Sequence, residues 1–282
     1  MVMPFGLSNA PGTFQSLMND IFAPYLRKFI LVFFDDILIY SKNIAERSSH
    51  VATTLQVLQA NKLSVKLSKC TFTRPQVEYL GHIISGASVS TDPDKIAAIA
   101  EWKSPTNVTQ LRGFLGLCGY YRRFLKIFGS ICRPLHDLLK KGTFCWNQIH
   151  EDTFQLLKQH MTTAPVLGLP NFTIPFILET DASGTGLGSV IMQDGRTIAY
   201  YSSSLCPRNA ALSTYEKEAL AIIESLKRWR HYFLGHKLII RTDQESLKFM
   251  IDQRIANSIQ HKLILKLLEF DFTWNTRKER KM

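Results

Sequence analysis

The chain has 282 residues, of which 45% are hydrophobic, and a formal net charge of +11 with an isoelectric point near 9.5. This length predicts one large domain or two smaller ones with a substantial core. No segment approaches the roughly 20 apolar residues of a transmembrane helix, and the N-terminus lacks the basic and apolar regions of a signal peptide. We therefore expect a soluble protein with no membrane partner.

The positions of the cysteines and of the charged residues bear on metal binding, disulfides and the type of partner. The five cysteines are scattered and form no C-x-x-C pair, which argues against disulfides and zinc and favours a reducing compartment. The excess of lysine and arginine is spread along the chain. A polyanionic partner such as nucleic acid fits this charge, although a basic but otherwise ordinary enzyme would carry it too.

Residues 1–90 mix helical and strand patterns. Apolar residues at helical spacing predict helices in GTFQSLMNDIFAPYL and HVATTLQVLQANKL. Between them, ILVFFDDILIYS is typical of a strand, a turn and a second strand. QVEYLGHIIS predicts the same arrangement around Gly81. A boundary is expected between Gly86 and Asp92.

The next segment is predicted to be helical. TDPDKIAAIAEW begins a short helix with Thr91 or Asp92 as its N-cap and Pro93 in its first turn. A longer helix is expected to start at the cap Asn107, with Gln110 three residues on.

One apolar stripe is expected to run along the whole of this longer helix. Its members are Leu111, Phe114, Leu115, Cys118, Tyr121, Leu125 and Phe128. Four basic residues fall off the stripe, namely Arg112, Arg122, Arg123 and Lys126. They are candidates for contacts with a nucleic-acid backbone, unless this side of the helix simply faces solvent.

From Pro175 the pattern changes to three short strands with glycine-rich turns. The helix STYEKEALAIIESLKRWRHYF, the strand HKLIIRTDQES, further helices to about Phe270 and the strand DFTWNTR follow. This order indicates a mixed sheet with helices, in a second domain. The fold class predicted for the whole chain is α+β.

Asp35 and Asp36 lie side by side between two apolar runs. The simplest structure is a β-hairpin with the pair at or near its turn, where aspartate is common. Adjacent ionised carboxylates repel each other, however, and divalent cations relieve that repulsion. Both a plain turn and a metal site are consistent with the pair alone.

Four motifs in order resemble the reverse transcriptase of gypsy-type LTR retrotransposon Pol polyproteins: VMPFGLSNAPGTFQ, FFDDILIYS, KLSKCTF and EYLGHIIS. The resemblance covers essentially the whole chain. TDPDKIAAIAEWKSP and LRGFLGLCGYYRRF are similar to the thumb, and FCWNQIHEDTFQLLK to the connection. LETDASGTGLGSVI, YEKEALAI and RTDQESLKF are similar to the RNase H domain. This resemblance implies a partial palm at 1–90, thumb and connection at 91–169, and an RNase H-like mixed β-sheet domain at 170–282.

The resemblance also implies roles for residues of the first segment. FFDD stands where the family has a Y-x-D-D box, so Asp35 would bind catalytic metal and Asp36 would complete the acidic turn. The loop that contacts nucleotide and template would include Phe5, Gly6 and Leu7. Lys69 would lie near the pyrophosphate leaving group, or be a solvated loop lysine. A hairpin that grips the primer would comprise Tyr79, Leu80, Gly81 and His82, although His82 also fits a surface turn.

A second metal site is implied in the RNase H-like segment. Asp181 ends a strand, Glu218 lies on the following helix and Asp243 ends a later strand. Helical periodicity does not choose between Glu216 and Glu218, whereas the match of KEALAI to the family favours Glu218. Taken singly, each acid also fits a helix cap or a solvated charge.

The family resemblance implies Mg²⁺ or Mn²⁺ as cofactor. The implied partners are an RNA template, a DNA primer, the RNA–DNA hybrid, deoxynucleoside triphosphates and the rest of the Pol polyprotein. An intracellular location is expected, in a cytoplasmic retrotransposon particle or in the nucleus.

The chain is expected to be a fragment. In the family, a strand with another metal-binding aspartate precedes VMPFGL, and a further acidic helix follows the last strand seen here. Three states remain open: an enzyme completed by other segments, a non-catalytic nucleic-acid-binding remnant, and a relic that does not fold stably.

Overall fold

The computed structural model describes residues 9–140, 142, 144–242 and 258–276. The chain divides into two compact units, residues 1–85 and 86–282. Both units combine helices with strands, which confirms the α+β prediction. Within the described ranges, no helix is long and apolar enough to cross a membrane.

The first unit consists of helices packed against β-hairpins. Its described elements are α1 (Ala10–Phe22), β1 (Ile30–Phe33), β2 (Asp36–Ile39), α2 (Ile44–Ala60), a 3₁₀ turn (Leu67–Lys69), β3 (Gln76–Tyr79) and β4 (His82–Ser85). β1 pairs with β2 and β3 with β4, both antiparallel, so the two predicted hairpins are confirmed. The core of the unit contains Met18, Phe22, Ile30 and Leu58.

The turn of the first hairpin is tied to α1 by Gln15. Phe33 pairs with Asp36, so Phe34 and Asp35 form a two-residue turn. Phe34 has φ of 50°, in the left-handed region that costs a non-glycine residue roughly 1 kcal/mol. Its backbone N–H donates to Oε1 of Gln15 at 2.5 Å, and Nε2 of Gln15 donates to the carbonyl of Val32 at 3.4 Å. The strained turn is therefore held from outside.

The second unit contains a helical segment followed by a sheet with its own helices. Its helical segment comprises β5 (Ser88–Thr91), α3 (Pro93–Ala100), α4 (Val108–Tyr120), a 3₁₀ turn (Arg122–Phe124), α5 (Phe128–Ile131), α6 (Arg133–Asp137), α7 (Gln148–Thr162) and β6 (Leu167–Gly168). The remainder comprises β7 (Phe176–Ala182), β8 (Gly186–Gln193), β9 (Arg196–Ser204), α8 (Pro207–Ala210), α9 (Thr214–Arg228), α10 (Arg230–Phe233), β10 (Lys237–Thr242), α11 (Ser258–Leu267) and β11 (Asp271–Thr276).

The large sheet of this unit is mixed, as its sequence predicts. Its strand order is β11-β10-β7-β8-β9, with β10 parallel to both neighbours and the other pairs antiparallel. α9 covers one face, where Ile222 and Leu226 join Phe176, Leu178 and Ile240 in the core.

The long helix predicted from Asn107 to Phe128 is wrong as a single helix. α4 ends at Tyr120, and the 3₁₀ turn and α5 follow. Every residue of the predicted stripe is nevertheless buried. Leu125 has extended backbone, with φ of −112° and ψ of 122°, which interrupts the helical path between the 3₁₀ turn and α5. Three glycines in α4 also weaken its helical preference.

The helical segment reaches β9 through a close contact at Gly129. Its N–H donates to Oγ of Ser202 at 2.8 Å. A Cβ atom on Gly129 would stand 2.7 Å from the carbonyl oxygen of Ser202. Only glycine fits between α5 and the strand backbone without movement of one of them.

Gly129→Ala is therefore expected to destabilise the second unit by roughly 1–3 kcal/mol, because backbone must move to accept the methyl group. The matched control is Gly116→Ala in α4, where a Cβ would meet nothing within 4 Å. It should stabilise by roughly 0.5–1 kcal/mol. Urea unfolding followed by tryptophan fluorescence measures both, since all four tryptophans lie in this unit. Equal midpoints for the two variants would contradict the packing account.

Gln15→Ala is expected to loosen the first hairpin turn, because the N–H of Phe34 loses its acceptor, at a cost of roughly 1 kcal/mol. Amide hydrogen exchange at Phe34 should become faster. Asn19→Ala is the control: Asn19 accepts from Nε2 of Gln15 at 2.9 Å but does not contact Phe34. Unchanged exchange in Gln15→Ala would show that the turn needs no support from α1.

Candidate functional site

The paired aspartates lie at the exposed tip of the first hairpin. Asp35 is the second turn residue and Asp36 begins β2. Both side chains are exposed, and neither forms an ion pair with a described lysine or arginine. Because both carboxylates are exposed, they avoid the desolvation cost that burial among the flanking apolar residues would impose. The pair presents two carboxylates to solvent.

The second hairpin of this unit lies within electrostatic range of that tip. Partial burial raises the pKa of Tyr79, and the negative charge of Asp36 raises it further. Leu80 and Gly81 form a two-residue turn with φ of 50° and 67°, and Tyr79 pairs with His82 across it. The structure thus brings the predicted primer-grip hairpin towards the acidic turn.

The other residues predicted for the first segment are less constrained. Lys69 is exposed at the end of the 3₁₀ turn, which leaves its solvated interpretation standing beside the functional one. Phe5, Gly6 and Leu7 lie outside the described residues.

In the second unit, Glu218 and Asp181 meet at the end of a strand. Glu218 is only 7% exposed, and its Oε1 accepts a hydrogen bond from the N–H of Ala182 at 2.8 Å. Ala182 directly follows Asp181, which is exposed. The Glu218 carboxylate is therefore bonded to the backbone of the residue that follows Asp181.

The alternative acid, Glu216, has a different structural role. Its side chain accepts from both the N–H and Oγ of Ser213 at the start of α9, forming a capping box. The structure thus directs Glu218 to the sheet and Glu216 to the helix N-terminus, a choice that helical periodicity left open.

Asp243 lies outside the described residues, but the strand that precedes it is described. β10 runs parallel to β7, and Arg241 pairs with Glu179. Asp181 and Asp243 each follow these partners by two residues in the sequence.

The donor atoms at both places suit a hard divalent cation. They are carboxylate oxygens, which Mg²⁺ and Mn²⁺ prefer. Among the residues that the structure describes, no group of three or more acidic, histidine or cysteine side chains could hold a metal ion. Among the described residues, the hairpin tip therefore offers the carboxylates of Asp35 and Asp36. The end of the sheet offers those of Asp181 and Glu218.

The four basic residues predicted to share one surface are not alike. Arg112 and Lys126 are exposed. Arg122 lies over the ring of Tyr201 at 5.9 Å, and Nη2 of Arg123 donates to the carbonyl of Ile198 at 3.3 Å. Because α4 ends before them, Arg122 and Arg123 turn towards β9 while Arg112 faces solvent.

Sequence reasoning missed Gln15, which supports the acidic turn, and the basic residues Arg228 and His231 near Arg123. Gln15 contacts a residue 19 positions away, and no local pattern marks such a contact. The basic run KRWRH was visible in the sequence, but its proximity to Arg123 depends on tertiary packing.

Two family models match the chain. Residues 1–84 match the model described as reverse transcriptase (RNA-dependent DNA polymerase). Residues 146–240 match the model described as RNase H-like domain found in reverse transcriptase. Reverse transcriptases and RNases H generally use divalent metal ions.

Curated relatives are similar over most of the chain. The retrovirus-related Pol polyproteins from transposons 297 and gypsy of Drosophila melanogaster are 37% and 36% identical over 272 and 270 residues, covering 96% and 91% of the chain. The transposon Tf2-3 polyprotein of Schizosaccharomyces pombe is 35% identical over 260 residues, or 90% of the chain. These matches take up 26%, 26% and 19% of the relatives.

Solved structures share the fold. The foamy viral protease-reverse transcriptase dRH in complex with double-stranded DNA has a TM-score of 0.88 at 20% identity, over 99% of this chain and 51% of that chain. The foamy viral protease-reverse transcriptase in complex with RNA/DNA hybrid has a TM-score of 0.82 at 21% identity, over 98% and 39%. The family predicted from the motifs is confirmed by these matches: the chain corresponds to the reverse transcriptase and RNase H-like segments of retrovirus-related Pol polyproteins of LTR retrotransposons.

Proposed function

We propose that this chain forms part of an RNA-directed DNA polymerase that also hydrolyses the RNA strand of RNA–DNA hybrids. The chain spans about a quarter of the length of its Drosophila relatives, so their activities reach it only as a proposal. The observation that carries the proposal is the hydrogen bond between Ala182 and Glu218, which holds a helix carboxylate beside Asp181. Metal-assisted hydrolysis of a phosphodiester requires such convergent acids.

Mg²⁺ or Mn²⁺ is the cofactor in this proposal. Asp35 and Asp36 would hold it at the hairpin tip, and Asp181, Glu218 and Asp243 at the end of the sheet. The exposure of Asp35, Asp36 and Asp181 supports this, because a metal can reach their carboxylates. When bound, such ions stabilise the attacking and leaving oxygens during phosphoryl transfer.

In the polymerase half, the residues of the chain position the reacting groups. Gln15 fixes the turn that carries Asp35. The hairpin with Tyr79 and Leu80 would hold the primer end near Asp36, as the electrostatic effect of Asp36 on Tyr79 supports. Phe5, Gly6 and Leu7 would contact the deoxynucleoside triphosphate and the template, and Lys69 would approach the leaving pyrophosphate. Positioning of this kind supplies much of the catalysis in phosphoryl transfer.

In the nuclease half, Glu218 is held in one orientation because its Oε1 accepts from a strand amide. Exposed Asp181 faces the side from which a substrate could approach. An RNA–DNA hybrid would be distinguished from duplex DNA by its 2′-hydroxyls. Arg112 and Lys126, which are exposed, are the better placed of the four predicted backbone contacts. Arg122 and Arg123 would reach phosphate only beside β9.

Substitutions at the two sites should separate the activities in any expressed protein that contains residues 1–282. Asp35→Asn is expected to reduce primer extension by about 100-fold or more and to leave hybrid cleavage unchanged, because it removes a charge from one site only. Glu218→Gln should do the reverse. Extension of a labelled primer and cleavage of a labelled hybrid are the two measurements, together with Mn²⁺ binding by electron paramagnetic resonance.

Glu216→Gln is the matched control for Glu218→Gln. Glutamine can still close the capping box with Ser213, so both stability and cleavage should persist. Cleavage that survives Glu218→Gln but is lost in Glu216→Gln would show that the wrong acid has been chosen. Tight hybrid binding with neither Mn²⁺ binding nor cleavage would favour the non-catalytic alternative, to which the net charge of +11 also lends support.

A further inference from the structure

Two serine side chains are buried where α9 packs on the large sheet, in an interface that is otherwise mostly apolar. Ser225 of α9 is 0% exposed and Ser189 of β8 is 6% exposed. The Ser225 hydroxyl lies 2.7 Å from Oγ of Ser189 and 2.6 Å from the carbonyl oxygen of Ala221, one helical turn earlier. The second contact stays within α9, whereas the first joins the helix to the sheet. We call the hydrogen bond between Ser225 and Ser189 the serine contact.

The serine contact lies near the part of the sheet where the Glu218 carboxylate is bonded. Ser189 pairs with Thr180, the residue before Asp181, across β7 and β8. Ser225 follows Glu218 by seven residues on α9, which is about two turns and roughly 10 Å along the helix axis. The bond of Glu218 to β7 and the serine contact to β8 therefore attach one helix to two adjacent strands.

Stability alone does not explain hydroxyl groups in this interface. A buried hydroxyl gives up its bonds to water, so a hydrogen bond inside the protein adds little net stability and an unmade bond is costly. Oγ1 of Thr180 is buried one strand away from Ser189 and has no hydrogen-bond partner among the described residues. Apolar side chains of the same shape would pack here at little or no loss of stability. What the two serines add is a bond with a defined direction.

Direction matters because the apolar contacts of α9 constrain its position less sharply. Hydrophobic burial is non-directional, whereas a hydrogen bond has a narrow range of length and angle. Ile222 and Leu226 hold the helix on the sheet. The single bond from Ala182 to Glu218 leaves the helix able to turn about that point. A second bond two turns away removes this freedom, since both bonds form together in one register only.

We propose that Ser189 and Ser225 are positioning residues for Glu218. The serine contact fixes the register of α9 on the sheet, and this register fixes where the Glu218 carboxylate lies. Both serines are buried, so neither can act on a substrate directly. The effect on hydrolysis rests on the proposed function, whereas the effect on the bond between Glu218 and Ala182 does not.

Ser189→Ala is the variant that tests the serine contact most cleanly. It removes the bond between α9 and β8, and the Ser225 hydroxyl keeps its acceptor at Ala221. The matched control is Ile191→Val, because Ile191 is fully buried on the same face of the same strand. This control removes one methylene group from the core and no polar group. Urea unfolding of both variants shows how much stability each has lost.

The first readout is hydrogen exchange at the amide of Ala182, which donates to Glu218. NMR measures this exchange in the full chain in EDTA, so that no metal ion takes part. Ser189→Ala is expected to speed exchange at Ala182 by about 3- to 10-fold relative to the other amides of β7, because Glu218 spends more time away from its donor. Ile191→Val should leave this ratio unchanged.

The second readout is hydrolysis of a labelled RNA–DNA hybrid by an expressed protein that contains residues 1–282. Ser189→Ala is expected to lower kcat by about 3- to 10-fold with KM unchanged, because it disturbs the placement of a carboxylate and no contact with the substrate. The double variant Ser189→Ala/Ser225→Ala should lose no more than Ser189→Ala, since both substitutions remove the same bond. Ile191→Val should keep the kcat of the starting protein.

Three results would overturn the proposal. One is an Ala182 amide that exchanges equally fast in Ser189→Ala and Ile191→Val, which would reduce the serine contact to ordinary packing. Another is hydrolysis with unchanged kcat in Ser189→Ala. The third is a loss in the double variant equal to the product of the two single losses, which would show that the hydroxyls act independently. Faster exchange at Ala182 in Ser189→Ala alone, with no hydrolysis by the starting protein, would contradict the proposed function and support the positioning role.

Discussion

The buried carboxylate of Glu218 ties helix α9 to the end of strand β7 in the second unit. An ionised carboxylate away from water is costly unless it is hydrogen-bonded. The N–H at the last residue of β7 supplies that bond, and it can do so only while α9 lies along the sheet. Ile222 and Leu226 keep α9 there by burying their side chains against the strands. Apolar packing thus determines where the hydrogen bond between Ala182 and Glu218 forms, and so where the Glu218 carboxylate lies.

Side chains of like charge also lie near each other at two other places. The repulsion between them is reduced in a different way at each place. Asp35 and Asp36 remain exposed at a hairpin tip, where water screens them, and Gln15 supports the turn without neutralising it. Arg123 is partly buried beside β9, where screening is weaker. Most cations of the second unit that approach a carboxylate pair with it, as Arg241 does with Glu179 at 3.1 Å. Arg123 instead donates to the carbonyl of Ile198 at 3.3 Å.

Local rules predicted much of this fold because they depend on neighbours in sequence. Asp92 caps α3 and Asn107 caps α4, each through its side chain. The hairpins and the succession of strands and helices along the chain also follow from short patterns. What failed was the extension of α4 beyond Tyr120, because a 3₁₀ turn and extended backbone at Leu125 interrupt the helix although the apolar residues stay buried. Helical periodicity could not separate Glu216 from Glu218, since both lie on one turn of α9. The family match favoured Glu218, and the structure adds that Glu218 contacts the sheet whereas Glu216 caps the helix.

Contacts at the edge of the sheet explain why Arg123 lies away from the surface predicted for it. β9 is an edge strand, and an uncovered edge exposes backbone groups that can pair with other chains. Here α5 covers it, through the close approach at Gly129, and Arg123 bonds to a free carbonyl of the strand. The helical segment and the sheet consequently share one compact unit. The same covering draws Arg123 away from the surface expected for α4 and towards His231. A pattern read along a single helix cannot anticipate that displacement, because the contact is with an edge strand 75 residues later in the chain.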